Sequence, residues 1–154
     1  MAINKYEKFG SRGFAPSSTT VGDYEGDVVF IGGFFGETEV NVTVGQLYYL
    51  ATNGGWRGSN ANAASSSTSL LGIACGTGNP ETVGMLLKGM ITVSVEPGEG
   101  LGLPLYVSGT EGRITQTAPT GASDVVRVVG YKITEGTNKQ IWFNPDNTWV
   151  VIAG

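Results

Sequence analysis

The sequence predicts an all-β fold, a small antiparallel β-barrel or sandwich built from two similar β units with an extended N-terminal arm. Three observations predict it. First, no window has helical periodicity, while β-branched and aromatic runs alternate with Gly, Asn and Pro along most of the chain. Second, the chain has 25 glycines in 154 residues and only 14 % charged residues, against about 7 % glycine and about 25 % charge in typical domains. Such a composition suits many turns and few solvated helix faces. Third, one strand-and-turn pattern is written twice.

The strands are expected near 28–31, 39–43, 46–51, 70–75, 83–88, 90–95, 104–108, 113–117, 125–133, 140–144 and 148–152. Frequent turn signals between short strands favour a barrel or sandwich. In "IWFNPDNTWVVI", Pro145 suits the first corner of a type I turn and Asn147 tolerates a left-handed conformation. This predicts a hairpin over 141–152. "GTGNPETVG" lacks the Lys and Ser/Thr of a phosphate-binding loop and reads as a hairpin loop. The small, polar stretch 58–69 reads as a surface loop.

The repeat starts with Gly45, Tyr49 and Gly55, which return as Gly102, Tyr106 and Gly112 at an offset of 57 residues. At an offset of 58, "LLGIAC" meets "VVGYKI", Val83 meets Ile141, and "MITVSV" meets "TWVVIA". Gly89 then falls on Asn147, two residue types that tolerate a left-handed backbone. The units span about 45–95 and 102–153, within a β domain of 25–154 that follows an arm of 1–24. Two copies are too few for a solenoid.

A chain of this length buries about 68–70 % of its unfolded surface, so neither a disulfide nor a metal is needed. The lone Cys75 lies in an apolar run and reads as a small buried hydrophobe. The net charge of −4 argues against nucleic acid as a partner. No apolar run reaches the ~18 residues of a membrane span, and the N-terminus has no signal-peptide core. No membrane partner is expected, and synthesis is expected in a cytoplasm.

Catalytic chemistry has little to work with. The chain has no histidine and one cysteine, which removes His-based triads and the usual zinc sites. Asp23, Glu25 and Asp27 in "GDYEGD" read as a solvated linker, and Glu96 and Glu99 in "EPGEG" as wet acids on a turn. No cofactor or metal is expected. Interaction surface is easier to find. Tyr48, Trp56, Trp142, Phe143 and Trp149 could stack on a sugar or anchor an interface. Trp56, after "NGG", is the expected exposed one, and either Trp142 or Phe143 must face inward. In "VVRVVGYKI", strict alternation places Val125, Arg127, Val129, Tyr131 and Ile133 on one face and Lys132 on the other. "TWVVIA" and "VVFIGGFF" are apolar on both sides, more than one small fold needs to cover, so another subunit is expected on some of this surface.

The arm carries Lys5, Lys8 and Arg12 against Glu7, a net of +2, leaving −6 for the rest. Burying its Tyr6, Phe9 and Phe14 would contribute about 5–9 kcal/mol. Fixing ~20 residues costs ~20–40 kcal/mol. The aromatics alone cannot order it; backbone pairing to a partner strand could.

The segments "VGQLYYLATNGGW", "LLGIACG", "MLLKGMITV", "GLPLYVSGTEGRITQTAP" and "VVRVVGYKI", with "IWFNPDNTWV" after them, resemble small structural proteins of tailed bacteriophages. The resemblance covers about residues 44–154. It is to capsid decoration (head-stabilising, or cement) proteins with a β-barrel or β-tulip domain, and to related modules of head and tail fibres. It implies a non-catalytic virion protein on the capsid surface, bound non-covalently to the major capsid protein and homo-oligomeric, with a trimer favoured. Candidate partner-binding residues are then Tyr6, Phe9, Arg12, Phe14, Trp56 and Trp149. The alternative is a fibre module for host receptors, with Trp56 and the 58–69 loop facing glycans.

Overall fold

The computed structural model describes residues 27–30, 40–135 and 139–154. They form an all-β fold in which one curled antiparallel sheet makes a half-barrel. The strands are β1 (Val28–Phe30), β2 (Leu47–Leu50), β3 (Trp56–Gly58), β4 (Leu71–Ala74), β5 (Met85–Thr92), β6 (Pro104–Val107), β7 (Ile114–Thr115), β8 (Val125–Val126), β9 (Val128–Lys132), β10 (Gln140–Phe143) and β11 (Val150–Val151). Two single-turn helices interrupt them, α1 (Ala64–Ser67) and α2 (Pro80–Val83). Asn79 caps α2 by accepting the Glu81 N–H at 2.9 Å, with Pro80 at the first helical position. This turn sits inside the expected hairpin loop between β4 and β5.

The large sheet runs β3-β2-β4-β5-β10-β9-β6-β7, with β1 added on β5, and β8 and β11 form a separate ribbon. The orders β3-β2-β4-β5 and β7-β6-β9-β10 carry the same pairings. Tyr49 pairs with Arg57 and Leu71, as Tyr106 pairs with Thr115 and Val128. Leu47 pairs with Ile73 and Ile73 with Leu86, as Pro104 pairs with Tyr131 and Tyr131 with Trp142. Gly45 and Gly102 open the units at φ +75° and +73°. Each donates its N–H to the third strand of its unit, at Ala74 O (2.9 Å) and Lys132 O (2.8 Å). The β6–β7 turn closes back on the first unit, with Leu47 N–H donating to Gly112 O and Gly112 N–H to Ser59 O.

Three expectations of register are corrected. Met85 and Leu86, not Val83, stand where Ile141 and Trp142 stand in the second unit. The predicted 141–152 hairpin does not form: β10 lies between β5 and β9, and β11 pairs with β8. Asn144 and Asp146 donate their N–H groups to Val129 O and Val128 O, which draws the chain along β9 instead of folding it back. Asn147 is not left-handed; among the described residues the one non-glycine with positive φ is Ser123. Third, β9 has a bulge. Leu105 pairs with Gly130 but Tyr106 with Val128, leaving Val129 extra. One extra residue reverses the alternation beyond it. Val125, Arg127 and Val129 therefore point inward, but so does Lys132, while Tyr131 points out at 45 % exposure.

The main core draws on both units: Leu47, Leu71, Ile73 and Leu86 pack with Leu105, Val107, Val129, Ile141 and Phe143. A second cluster lies on the other side of the first unit, where Tyr48, Trp56, Ala74 and Met85 are covered by Val42, with Val83 of α2 against them. The inward parity switches within β5. Leu86 faces the core before Gly89, and Ile91 and Val93 face it afterwards. Gly89 has φ +141°, a conformation open essentially to glycine. Beside it lies Asp27, whose carboxylate a Cβ at residue 89 would strike.

Candidate functional site

Directly paired residues share a face of a sheet, so the pairings define the outer face of the second unit. Pro104, Tyr131, Trp142 and Met90 form one cross-strand row over β6, β9, β10 and β5. Tyr106 and Val128 form the next. The β9 bulge turns Tyr131 outward. The pairing of Trp142 with Tyr131 and Met90 decides that Phe143, fully buried, is the inward member of its pair. Lys88 holds its ammonium 5.9 Å from the Trp142 ring centroid, within cation–π range.

This face runs into a shallow groove of about 360 Å³ lined chiefly by Tyr106, Val126, Val128, Asp146, Trp149 and Val150. Its far wall is the β8–β11 ribbon, where Trp149, Val150 and Val151 are 41 %, 63 % and 50 % exposed. Arg127 fixes that wall. Its guanidinium, 5.2 Å from the Trp149 ring, donates from Nε to Asp146 O and from one terminal nitrogen to Ser67 O and Ser69 O, all at 2.8 Å. Burial lowers its pKa, and the nearby Asp146 opposes that shift. One buried cation thus ties the segment after β10 to the loop after α1.

The stretch 58–69, expected as a polar surface loop, is exposed at 62–65 but turns the rest of its length inward. Ser59, Ala61, Ser66 and Ser67 are buried. The Ser59 hydroxyl donates to Ser66 O, the Ser66 hydroxyl to Asn60 O and Ala63 O, and the Ala61 N–H to Ser108 O. Its serines satisfy the loop's own backbone, so its polarity faces inward as hydrogen bonds.

The candidate residues separate cleanly. Trp149 is exposed at the groove. Trp56 is fully buried, its ring close against Gly72, and presents nothing to a glycan or a partner; the residues after "NGG" form β3 and carry it into the second cluster. Tyr6, Phe9, Arg12 and Phe14 lie outside the described residues, as do Asp23 and Glu25. Asp27 is buried, not a solvated linker residue, and its Oδ1 accepts the Met90 N–H at 3.0 Å. Tyr48 is buried, with its hydroxyl accepting the Thr43 N–H and donating to Gln46 Oε1. Sequence reasoning missed Tyr131 and Tyr106. Their signal was the row they share with Trp142 and Val128, which no single-strand pattern contains.

The acids do not assemble into chemistry. Glu96 accepts from the buried Lys132 at 2.5 Å and from the Gly98 N–H at 3.1 Å through the same oxygen, while Glu99 is exposed. Cys75 packs against the main core, and burial pushes its thiol far up from the ordinary value. Among the described residues, no three metal-ligating side chains cluster. The described residues include no helix long and apolar enough to cross a membrane. No family model, curated protein or solved structure matches the chain.

Proposed function

We propose that this protein is a non-catalytic structural component of a tailed-bacteriophage particle. It decorates the outer surface of the capsid, stabilises it through non-covalent contacts with the major capsid protein, and acts as a homo-oligomer, with a trimer favoured. The observation that carries the reading is the outer face of the second unit, where Tyr131 and Trp149 are exposed and Trp142, Tyr106 and Val128 are half-buried along the same rows and groove. Active sites add a few convergent, perturbed titratable groups to an apolar cleft; this surface offers aromatic anchors of the kind that dominate protein interfaces. The sequence resemblance over 44–154 supplies the particle. In the test, purified protein is added to capsids that lack it. It re-binds and raises their melting temperature; absence of binding at micromolar protein sinks the reading.

The groove favours a second reading, a head-fibre or tail-fibre module for host glycans. An exposed Trp beside a carboxylate, here Trp149 and Asp146, is a usable platform for a sugar ring. In that case glycan-array binding is lost in Trp149→Ala, and a silent array removes this reading.

A further inference from the structure

Five pairing positions of the two units have opposite fates. Leu47, Tyr49, Leu71, Ile73 and Leu86 all lie in the main core or pack against it. Their counterparts Pro104, Tyr106, Val128, Tyr131 and Trp142 lie on the outside of the second unit, Tyr131 exposed and the other four half-buried. A sheet face meant for water alternates to charged and polar residues, and these five positions hold none with a charge. The second unit has kept an apolar face where the first has one that is covered.

We infer that this outer face is covered by a second copy of the same chain, face to face across a symmetry axis. Area and charge both suit that occupant. Four strands at about 4.8 Å spacing, widened by the groove and the β8–β11 ribbon, give a face on the order of 25 Å by 20 Å. That is about 500 Å² per copy, or about 1,000 Å² in all, the lower bound for a specific association and the size of a weak one. Lys88, beside Trp142, and Asp146, at the groove, put an exposed cation and an exposed anion on this face. A symmetric contact makes every pairing twice, so Lys88 of each copy can meet Asp146 of the other. The first unit shows that such a row is a good partner surface, since it packs against the second unit inside one chain.

The inference rests on the homo-oligomer part of the proposed function alone and puts a two-fold dimer in place of its favoured trimer, since a face that meets itself closes at two copies; capsid binding is scored separately. The experiment is sedimentation of the full-length protein over a wide concentration range. The wild type self-associates, and Tyr131→Lys or Trp142→Lys raises the dissociation constant by ~10-fold or more. Leu101→Lys, an exposed control outside the rows, leaves it unchanged. Lys88→Glu and Asp146→Lys each weaken association, and the double exchange restores it. Those two exposed positions keep the test open should the aromatic variants misfold. A wild-type monomer at all concentrations overturns the inference, as does association indifferent to the aromatic and charge variants. Lost self-association with retained capsid binding would fail this inference and leave the capsid reading standing.

Discussion

The first unit buries both faces of its sheet, and the second buries one. Both use the same strand order and nearly the same register. The difference lies in two irregularities, Gly89 in β5 and the Val129 bulge in β9. Each breaks the period-2 alternation at one residue. Between them they decide which side chains of the second unit meet the core and which meet the outside. Backbone pairing and side-chain direction are thus separable: a repeat can preserve the first and invert the second.

The largest test of this contrast sets two tryptophans against each other. Trp56→Ala removes a fully buried side chain and should cost about 3–5 kcal/mol. Trp142→Ala, half-buried on the outer face, should cost the isolated chain about 1–2 kcal/mol through its cross-strand neighbours and Lys88. Urea unfolding of both variants decides; equal losses would mean that the outer row is as much a part of the fold as the second cluster. Next comes the pivot. Gly89→Ala forces a Cβ toward Asp27 at φ +141° and should destabilise by about 1–3 kcal/mol. A loss below about 0.5 kcal/mol would show that β5 switches parity without needing glycine. The last concerns Cys75, just after β4. Its thiol is pushed up by burial in the folded chain, while the unfolded thiol ionises near 8.5. The folded state then holds a proton that the unfolded state releases, so stability falls as pH rises past about 8.5. Thermal melts from pH 7 to 10 should show this slope in the wild type and lose it in Cys75→Ala.

Much of the architecture was legible because it rests on local pattern. The apolar runs of β2, β4, β6 and β10 and the glycines at 45 and 102 mark strands and turns directly. What was not legible depends on two segments at once. Tyr131 and Lys132 exchange sides because Tyr106 skips a residue on its partner strand, and nothing within "VVRVVGYKI" records that. The "NPDN" stretch has the chemistry of a tight turn, yet bonds to β9 outcompete it. Strand β3 is three residues long, too short to show a period. The serines of the 58–69 loop read as solvent-loving because composition cannot tell a hydroxyl facing water from one bonded to its own backbone. Of the candidate surface, Trp149 was visible in advance and Trp56 was misplaced, since "NGG" marks the turn but not where the next residue packs.

Gly89 also governs how freely the two units can change. Ile73 and Leu86 are held by the packing of both units, so replacements there must satisfy many neighbours at once. Tyr131 and Trp142, at the same pairing positions, have only their cross-strand row and Lys88 to satisfy within the chain. A kink at one glycine therefore divides the repeat into a conservative half that keeps the fold and a permissive half whose exterior can be rewritten for a new neighbour without rebuilding the interior.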